Sequence, residues 1–400
     1  MKKVVLGLRS NWKQFVLLVI VNTFVGGMVG MERTILPQLA EEKFHLTVHT
    51  AILSFIIIFG VSKAITNYFT GVLSDRIGRR KLLILGWIIA LPIPLILIYA
   101  PNWSWVIFAN LLLGINQGLT WSSTVVMKID LVGEKNRGLA MGFNESAGYL
   151  AVGAVAFLTG WVASNYGLSP YPFYIGILLS ILGLLFSIFF IKDTRHHVAV
   201  ESEQDSTDQM NRVFWETTWA NKNLGSITQA GMVNNLNDGM VWGLFPILLA
   251  SLQFDLEQIG MIVSVYPAVW GVGQLFTGRL ADILPKRTLL FWGMLLQGIA
   301  LGFMAFTTTF LPFVLLSIVL GIGTALVYPT FLAGIASYTS PVQRAESIGV
   351  FRLWRDLGYA IGAVLTGVVA DMFGITYSIA VIAVITLISS LIIRFRMEAG

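Results

Sequence analysis

The stretch "FRLWRDLGYA", Phe351 to Ala360, sets Arg352, Arg355 and Asp356 inside a run that is apolar on both sides, from Ser347-Ile348-Gly349-Val350 to Ile361-Gly362-Ala363-Val364-Leu365. Either this is a surface loop between two greasy segments, or three charges stand within one of them. A polar connection is already supplied upstream by "SPVQRAES", Ser340 to Ser347, so the charges belong to the segment interior. The composition agrees. The 400 residues are 56% hydrophobic and only 12% charged, with mean hydropathy +0.77, whereas soluble domains carry about a quarter charged residues. That leaves too little polar surface for a soluble fold, and an integral membrane protein is the class that fits.

A requirement of about 20 apolar residues per membrane span gives twelve segments. Their cores are 14–38, 48–73, 82–100, 104–127, 139–164, 172–191, 223–250, 257–279, 288–308, 311–337, 345–370 and 375–393. Met1-Lys2-Lys3 and the apolar run after it resemble a signal peptide. The run continues through Ile35-Leu36-Pro37 without a cleavage pattern and reads as an uncleaved first span. Basic residues in the connections, Lys128 counted among them, fall on the side of the two termini, with Lys43 alone on the other. By the positive-inside rule both termini are expected in the cytoplasm of a multi-pass plasma-membrane protein. This distribution also explains the net charge of +5 without nucleic acid as a partner.

The two halves repeat at a spacing of 207 residues. Gly71 pairs with Gly278, Asp75 with Asp282, Arg79 with Lys286, Arg80 with Arg287, Gly114 with Gly321, Arg137 with Arg344, Gly160 with Gly367 and Gly167 with Gly374. Six spans return the chain to its starting side, so the copies share one orientation, with a substrate pathway expected between them near mid-membrane. The expected organisation is a six-helix bundle over 1–192, a cytoplasmic linker over 193–221 and a second bundle over 222–400. In the linker, "VFWETTW" (Val213 to Trp219) reads as a short helix lying at the interface.

"GVLSDRIGRRK", Gly71 to Lys81, and its copy "GRLADILPKRT", Gly278 to Thr288, resemble the signature loop of the major facilitator superfamily. The resemblance covers the whole chain. It implies an all-α fold of two six-helix repeats and transport by alternating access. It also implies a cytoplasmic gate from Gly71, Asp75, Gly78, Arg79, Asp130, Gly278, Asp282, Lys286 and Arg344, while Arg80 and Lys81 read as plain topogenic charge. Drug–proton antiporters of the family carry an arginine where Asn110 stands and a glycine–proline pair in segment 5, which "NESAGYLAVGAVAFLTG" (Asn144 to Gly160) lacks.

Segments 3, 6, 9 and 12 hold no ionisable residue in their cores, as expected of helices facing lipid. The embedded charges are Glu32, Arg33, Lys63, Glu145, Asp238, Arg352, Arg355 and Asp356. Arg352 and Asp356, at i and i+4, are placed to pair locally, which would make the set a static latch. The competing reading joins Lys63, Arg352 and Arg355 into a cationic site for an anion, with Asp238 or Glu32 carrying a coupling proton. Asn234, Asn237, Gln117 and Tyr328 are further candidate contacts, each with an interhelical hydrogen bond as its bland alternative. Trp103 and Trp105 read as interface-belt aromatics. His45 and His49 beside Glu41 and Glu42 read as an exposed junction, so no metal is expected.

The chain has no cysteine, which excludes disulfide and thiolate chemistry. It has no nucleotide-binding or hydrolase motif either, so neither an enzyme nor a cofactor is expected. The reading that follows is a secondary transporter, expected to be a monomer, moving a small organic anion with proton coupling. The alternatives are a proton-coupled exporter of drugs or amphiphiles and, in another class, a non-transporting membrane sensor.

Overall fold

The computed structural model describes residues 7–132, 137–194, 210–339 and 341–398, apart from the side chains at 71–76, 129, 137–140, 282, 336, 341, 342, 344 and 345. Among these residues the chain forms twelve long helices and no strand. They are α1 (Leu8–Arg33), α2 (Ser54–Ile77), α3 (Arg79–Ala90, continued as Pro92–Tyr99), α4 (Trp103–Val132), α5 (Arg137–Tyr166) and α6 (Tyr171–Phe189) in the first half. The second half holds α7 (Lys222–Ser251), α8 (Leu256–Ile283), α9 (Lys286–Met304), α10 (Phe310–Ser337), α11 (Pro341–Phe373) and α12 (Ile375–Arg396).

Nine helical stretches among the described residues are long and apolar enough to cross a membrane. The other three helices are α2, α4 and α7. These carry Lys63 with Asn67, Asn116 with Gln117, and the run Asn234 to Asp238.

Breaks in the helices follow the backbone chemistry. Pro37 opens the short helix Leu36–Glu42 beyond α1, and Pro92 restarts α3 after Leu91, because proline supplies no N–H to the preceding turn. Pro246, Pro267 and Pro329 instead sit inside α7, α8 and α10, where neighbouring helices cover the freed carbonyls. Gly78 turns the chain between α2 and α3 with φ of 103°, a region open to glycine and costly for other residues. Its repeat copy, Pro285, makes the equivalent turn in another conformation, with φ of −57°.

The halves pack alike. In the first half α1 lies against α4, α5 and α6, α2 against α4, and α3 against α4 and α6. In the second, α7 lies against α11 and α12, α8 against α10, and α9 against α10 and α12. Two seams join the halves, α5 with α8 and α2 with α11. The spacing of 207 residues converts one seam into the other. Helices α3, α6, α9 and α12 hold the periphery, presenting Ile88, Leu178, Phe303, Val384 and similar side chains outward. This is the lipid-facing pattern expected of segments without charge.

"VFWETTW" is helical, with Val213–Trp215 running into a π-helical turn at Glu216–Ala220. Trp215 and Trp219 are exposed, and the Arg396 guanidinium lies 3.9 Å from the Trp219 ring centre. Trp105 is exposed as a belt residue should be. Trp103 is not: it is buried, and its Nε1 donates to Ala51 O (3.0 Å) and Ser54 Oγ (2.8 Å), fastening α4 to the start of α2. The indole N–H finds acceptors inside the bundle, which makes burial of the ring workable.

Candidate functional site

Between the halves lies a cavity of about 10 Å³, room for roughly one water. Its walls are Lys63 and Asn67 of α2, Trp121 and Ser122 of α4, Glu145 and Tyr149 of α5, Tyr328 of α10, and Arg352 and Arg355 of α11. Glu145 and Arg352 are repeat equivalents, as are Trp121 and Tyr328. The cavity thus sits on the axis relating the two copies.

The charges are arranged unevenly. Asp356 is fully buried behind Arg355, whose Nε and Nη2 donate to Asp356 Oδ1 at 2.8 and 2.7 Å. Asn67 donates to the other oxygen at 2.5 Å, and Asn235 donates to Oδ1 at 3.4 Å. This corrects the expectation of an Arg352–Asp356 pair. Arg352 reaches across to α4 and donates from Nη1 to Ser122 Oγ at 3.1 Å, leaving Asp356 to its sequence neighbour. Lys63 has no carboxylate within ion-pair distance among the described residues. Its ammonium rests 5.1, 5.4 and 5.6 Å from the ring centres of Tyr359, Phe59 and Trp121. The only carboxylate lining the cavity, among the described residues, is Glu145. Its Oε1 accepts from Trp121 Nε1 and Asn144 Nδ2, both at 2.9 Å.

Aromatic rings complete the walls. Tyr149 stacks on Trp270 with ring centres 3.4 Å apart, Tyr328 stands edge-on to Trp270, and the Tyr149 and Tyr328 hydroxyls are 3.0 Å apart.

The remaining candidates lie elsewhere. Glu32, Arg33 and Asp238 are fully buried in helix packing and do not line the cavity. Arg33 stacks 4.2 Å from the Trp242 ring centre and 5.0 Å from Phe59. Asp238 Oδ1 accepts from the Tyr266 hydroxyl at 2.5 Å, while its Oδ2 has no hydrogen-bond partner among the described residues. Asn237 donates to Gln297 Oε1 (3.0 Å) and accepts from Thr386 (2.7 Å), pinning α7 to α9 and α12. Gln117 donates to Val25 O (3.0 Å), and Asn234 to its neighbour Asn235 (3.4 Å).

A family model for the Major Facilitator Superfamily matches residues 18–230 and again 227–399. The chain belongs to the Major Facilitator Superfamily. The chain is 24% identical over 382 residues to the proton-coupled antiporter flippase LtaA of Staphylococcus haemolyticus, covering 91% of this chain and 88% of that protein. It is 25% identical over 396 residues to the multidrug resistance protein MdtG of Salmonella typhimurium, covering 95% of each. It spans about half (46%) of an uncharacterised MFS-type transporter of Methanocaldococcus jannaschii, at 26% identity over 177 residues. Among solved structures, a human organic anion transporter superposes with a TM-score of 0.70 over 96% of this chain and 99% of that one, at 16% identity. That likeness is one of fold. This chain is therefore a multi-pass membrane transporter, and not an enzyme.

Part of the superfamily's signature loop can be followed at the end of the bundle that bears the termini. Arg79 opens α3 and its Nε lies 2.8 Å from Asp130 Oδ2, near the end of α4, with both side chains nearly buried. The Thr194 hydroxyl donates to the same oxygen at 2.6 Å. Asp75, Asp282 and Arg344 have side chains outside the described set; Gly71 and Gly278 lie in the last turns of α2 and α8, and Lys286 opens α9. Arg80 does more than set topology. Its Nη2 donates to Ile188 O at the end of α6 (2.5 Å), and its repeat equivalent Arg287 donates to Arg394 O at the end of α12. Each caps carbonyls that the helix leaves unpaired.

At the opposite end, Asp371 of α11 accepts four hydrogen bonds from the first half. They come from His49 N (2.6 Å), His49 Nδ1 (2.8 Å), Thr50 N (3.1 Å) and Thr50 Oγ1 (2.8 Å). The His49 junction thus ties the halves together.

One buried charge escaped the sequence reading. Lys128, counted there among the connecting residues, is 1% exposed within α4 and donates to Asn144 Oδ1 at 2.5 Å. The signal was faint: "VVMKIDLV" places it two residues before Asp130, where the span looks finished.

Proposed function

We propose that this transporter moves a small organic anion, which binds in the cavity between Lys63 and Arg352. The observation that carries this reading is the pairing of these charges. Arg355 has Asp356, but among the described residues Lys63 has only ring faces and Arg352 a single hydroxyl, with one oxygen of Glu145 held by Trp121 and Asn144. An anionic group entering here meets two cations in a site of low dielectric, where the attraction is far stronger than in water. The halves rock about this site, and the end bearing the termini faces the cytoplasm, as the basic connections require.

Proton coupling belongs to the same reading. Asp238, buried with one oxygen unpartnered among the described residues, is the coupling group we assign, and Glu32 beside Arg33 is the second choice. The curated relatives do not choose the substrate, since one is a flippase and another a multidrug resistance protein. One observation favours the second reading, export of an amphiphile: Trp121, Tyr149 and Tyr328 of the cavity wall, with Trp270 packed behind them, would hold a flat apolar body as readily as they frame a carboxylate.

Purified protein in proteoliposomes, offered anionic, cationic and neutral compounds with and without a pH gradient, separates the two. The anion reading expects uptake of anions only, falling at least tenfold in Lys63→Ala and Arg352→Ala, since each removes a charge-assisted contact. Equal transport of cationic and neutral compounds by those variants would overturn it. Asp238→Asn is expected to move anions without responding to the gradient.

A further inference from the structure

Lys128 is a buried cation that the cavity does not contain. Removing a lysine from water is costly unless its charge is used or paired, and among the described residues the one hydrogen bond its ammonium makes is to Asn144 Oδ1 (2.5 Å). Asn144 is the residue before Glu145, and its Nδ2 donates to Glu145 Oε1 (2.9 Å). The three groups form a chain, Lys128 to Asn144 to Glu145, crossing from α4 to α5.

The two ends fix the middle. An ammonium only donates and a carboxylate only accepts. The amide therefore has one workable orientation, with oxygen toward Lys128 and nitrogen toward Glu145. Neutralising Lys128 removes one of the two ends that fix the amide and leaves its oxygen with only the longer Thr124 hydroxyl contact (3.4 Å), so the amide holds Glu145 less firmly.

The fold does not require this arrangement. At the repeat-equivalent positions of the second half stand Ile335 and Phe351, both buried in one apolar cluster. A purely structural contact at this place is therefore made without charge in one copy. The polar version stands beside the carboxylate of the cavity and not at the equivalent positions of the other half.

Glu145 matters because of what surrounds it. Facing it are Lys63 from α2, Tyr328 from α10, and Arg352 and Arg355 from α11, all lining the same cavity, with Tyr149 on its own helix and Lys128 behind it on α4. If Glu145 swung toward Lys63 or Arg352 it would neutralise the cations assigned above to the anion. Trp121 and Asn144 hold Oε1 away from that alternative.

We propose that Lys128 is a positioning residue for substrate selection: through the Asn144 amide it keeps Glu145 from occupying the cationic site. This rests on the anion reading of the cavity. Lys128 touches no substrate; it acts by denying the site an internal competitor.

The test measures binding of D-glucuronate, benzoate and citrate to full-length protein in detergent by calorimetry, with D-glucose as a neutral control. Lys128→Met is expected to weaken anion binding about tenfold, the worth of one charge-assisted positioning contact. Adding Glu145→Gln to Lys128→Met is expected to restore binding to within about threefold of wild type, because the competitor is gone. Asn144→Asp gives a second route. It still pairs with Lys128, so the contact between α4 and α5 survives, yet it offers no N–H to Glu145 and is expected to weaken binding as Lys128→Met does. A Lys128→Met variant that binds like wild type, or one whose loss Glu145→Gln does not repair, overturns the inference while leaving the anion reading in place. A wild-type protein that binds none of the three anions overturns both.

Discussion

Where α5 crosses α8, Tyr149 stacks on Trp270. At the repeat-equivalent positions, where α11 crosses α2, stand Asp356 and Lys63. One duplicated crossing thus carries an aromatic stack in one seam and, in the other, two charges that take different partners. Among the described residues the α5–α8 seam is close and shows no ion pair between its two helices. A Cβ on Gly153 would lie 2.9 Å from Ser264 O, and one on Gly160 would lie 3.0 Å from the Gly260 Cα. The α2–α11 seam is equally close at Gly60, against Tyr359 and Ala360, and at Gly367, against Thr50. It also holds Lys63, Asn67, Arg352, Arg355 and Asp356 at its centre and the Asp371 contacts at its end. Close packing without ion pairs suits a bearing, since sliding breaks no strong bond. Hydrogen bonds with two discrete arrangements suit a gate.

The largest effect is expected at the centre of the charged seam. Asp356→Ala leaves Arg355 buried without its carboxylate, and breaking such a pair costs about 3–5 kcal/mol. Thermal unfolding in detergent reads this loss, and an unchanged midpoint would mean that the seam does not depend on its ion pair.

The α5–α8 seam breaks by volume instead. Gly153→Val forces side-chain atoms against the α8 backbone, at an expected cost of about 1–3 kcal/mol and with transport reduced more than stability. Gly302→Ala is the control, because a Cβ there meets only the Ala383 Cβ, at 3.9 Å. If both variants behave alike, α5–α8 is not a bearing.

The smallest effect is expected at the end of the charged seam. Asp371→Ala removes the acceptor for His49 and Thr50. Both side chains of the Asp371–His49 pair are about a quarter exposed, so solvent discounts the loss to about 1 kcal/mol. The chain has no cysteine, so a single Leu53→Cys, fully buried beside Gly243, reports opening by its rate of maleimide labelling. Asp371→Ala is expected to raise that rate about fivefold, and an equal rate in both backgrounds would mean that the contact holds nothing shut.

The sequence showed these features unequally. Apolar run length, one-sided basic connections and the spacing of 207 residues each reflect a constraint local to the chain, and together they were enough for the helices, the halves and the peripheral set. Partner choice is not local. Arg352 and Asp356 stand at i and i+4, yet Arg352 finds Ser122 on another helix and Asp356 takes Arg355 and Asn67. Asn237 looked like a cavity residue and ties three helices instead. Lys128 looked like a loop charge because only α5, folded against it, makes its burial workable.

The setting of Lys63 has one more consequence. Its ammonium is steadied by the faces of Phe59, Trp121 and Tyr359, whose electron-rich surfaces attract a cation without carrying a formal charge. A lysine paired with a carboxylate would have to shed that partner before receiving a solute, and take it back on release. On the anion reading, Lys63 has no counter-ion among the described residues to exchange, so filling and emptying the site would move none.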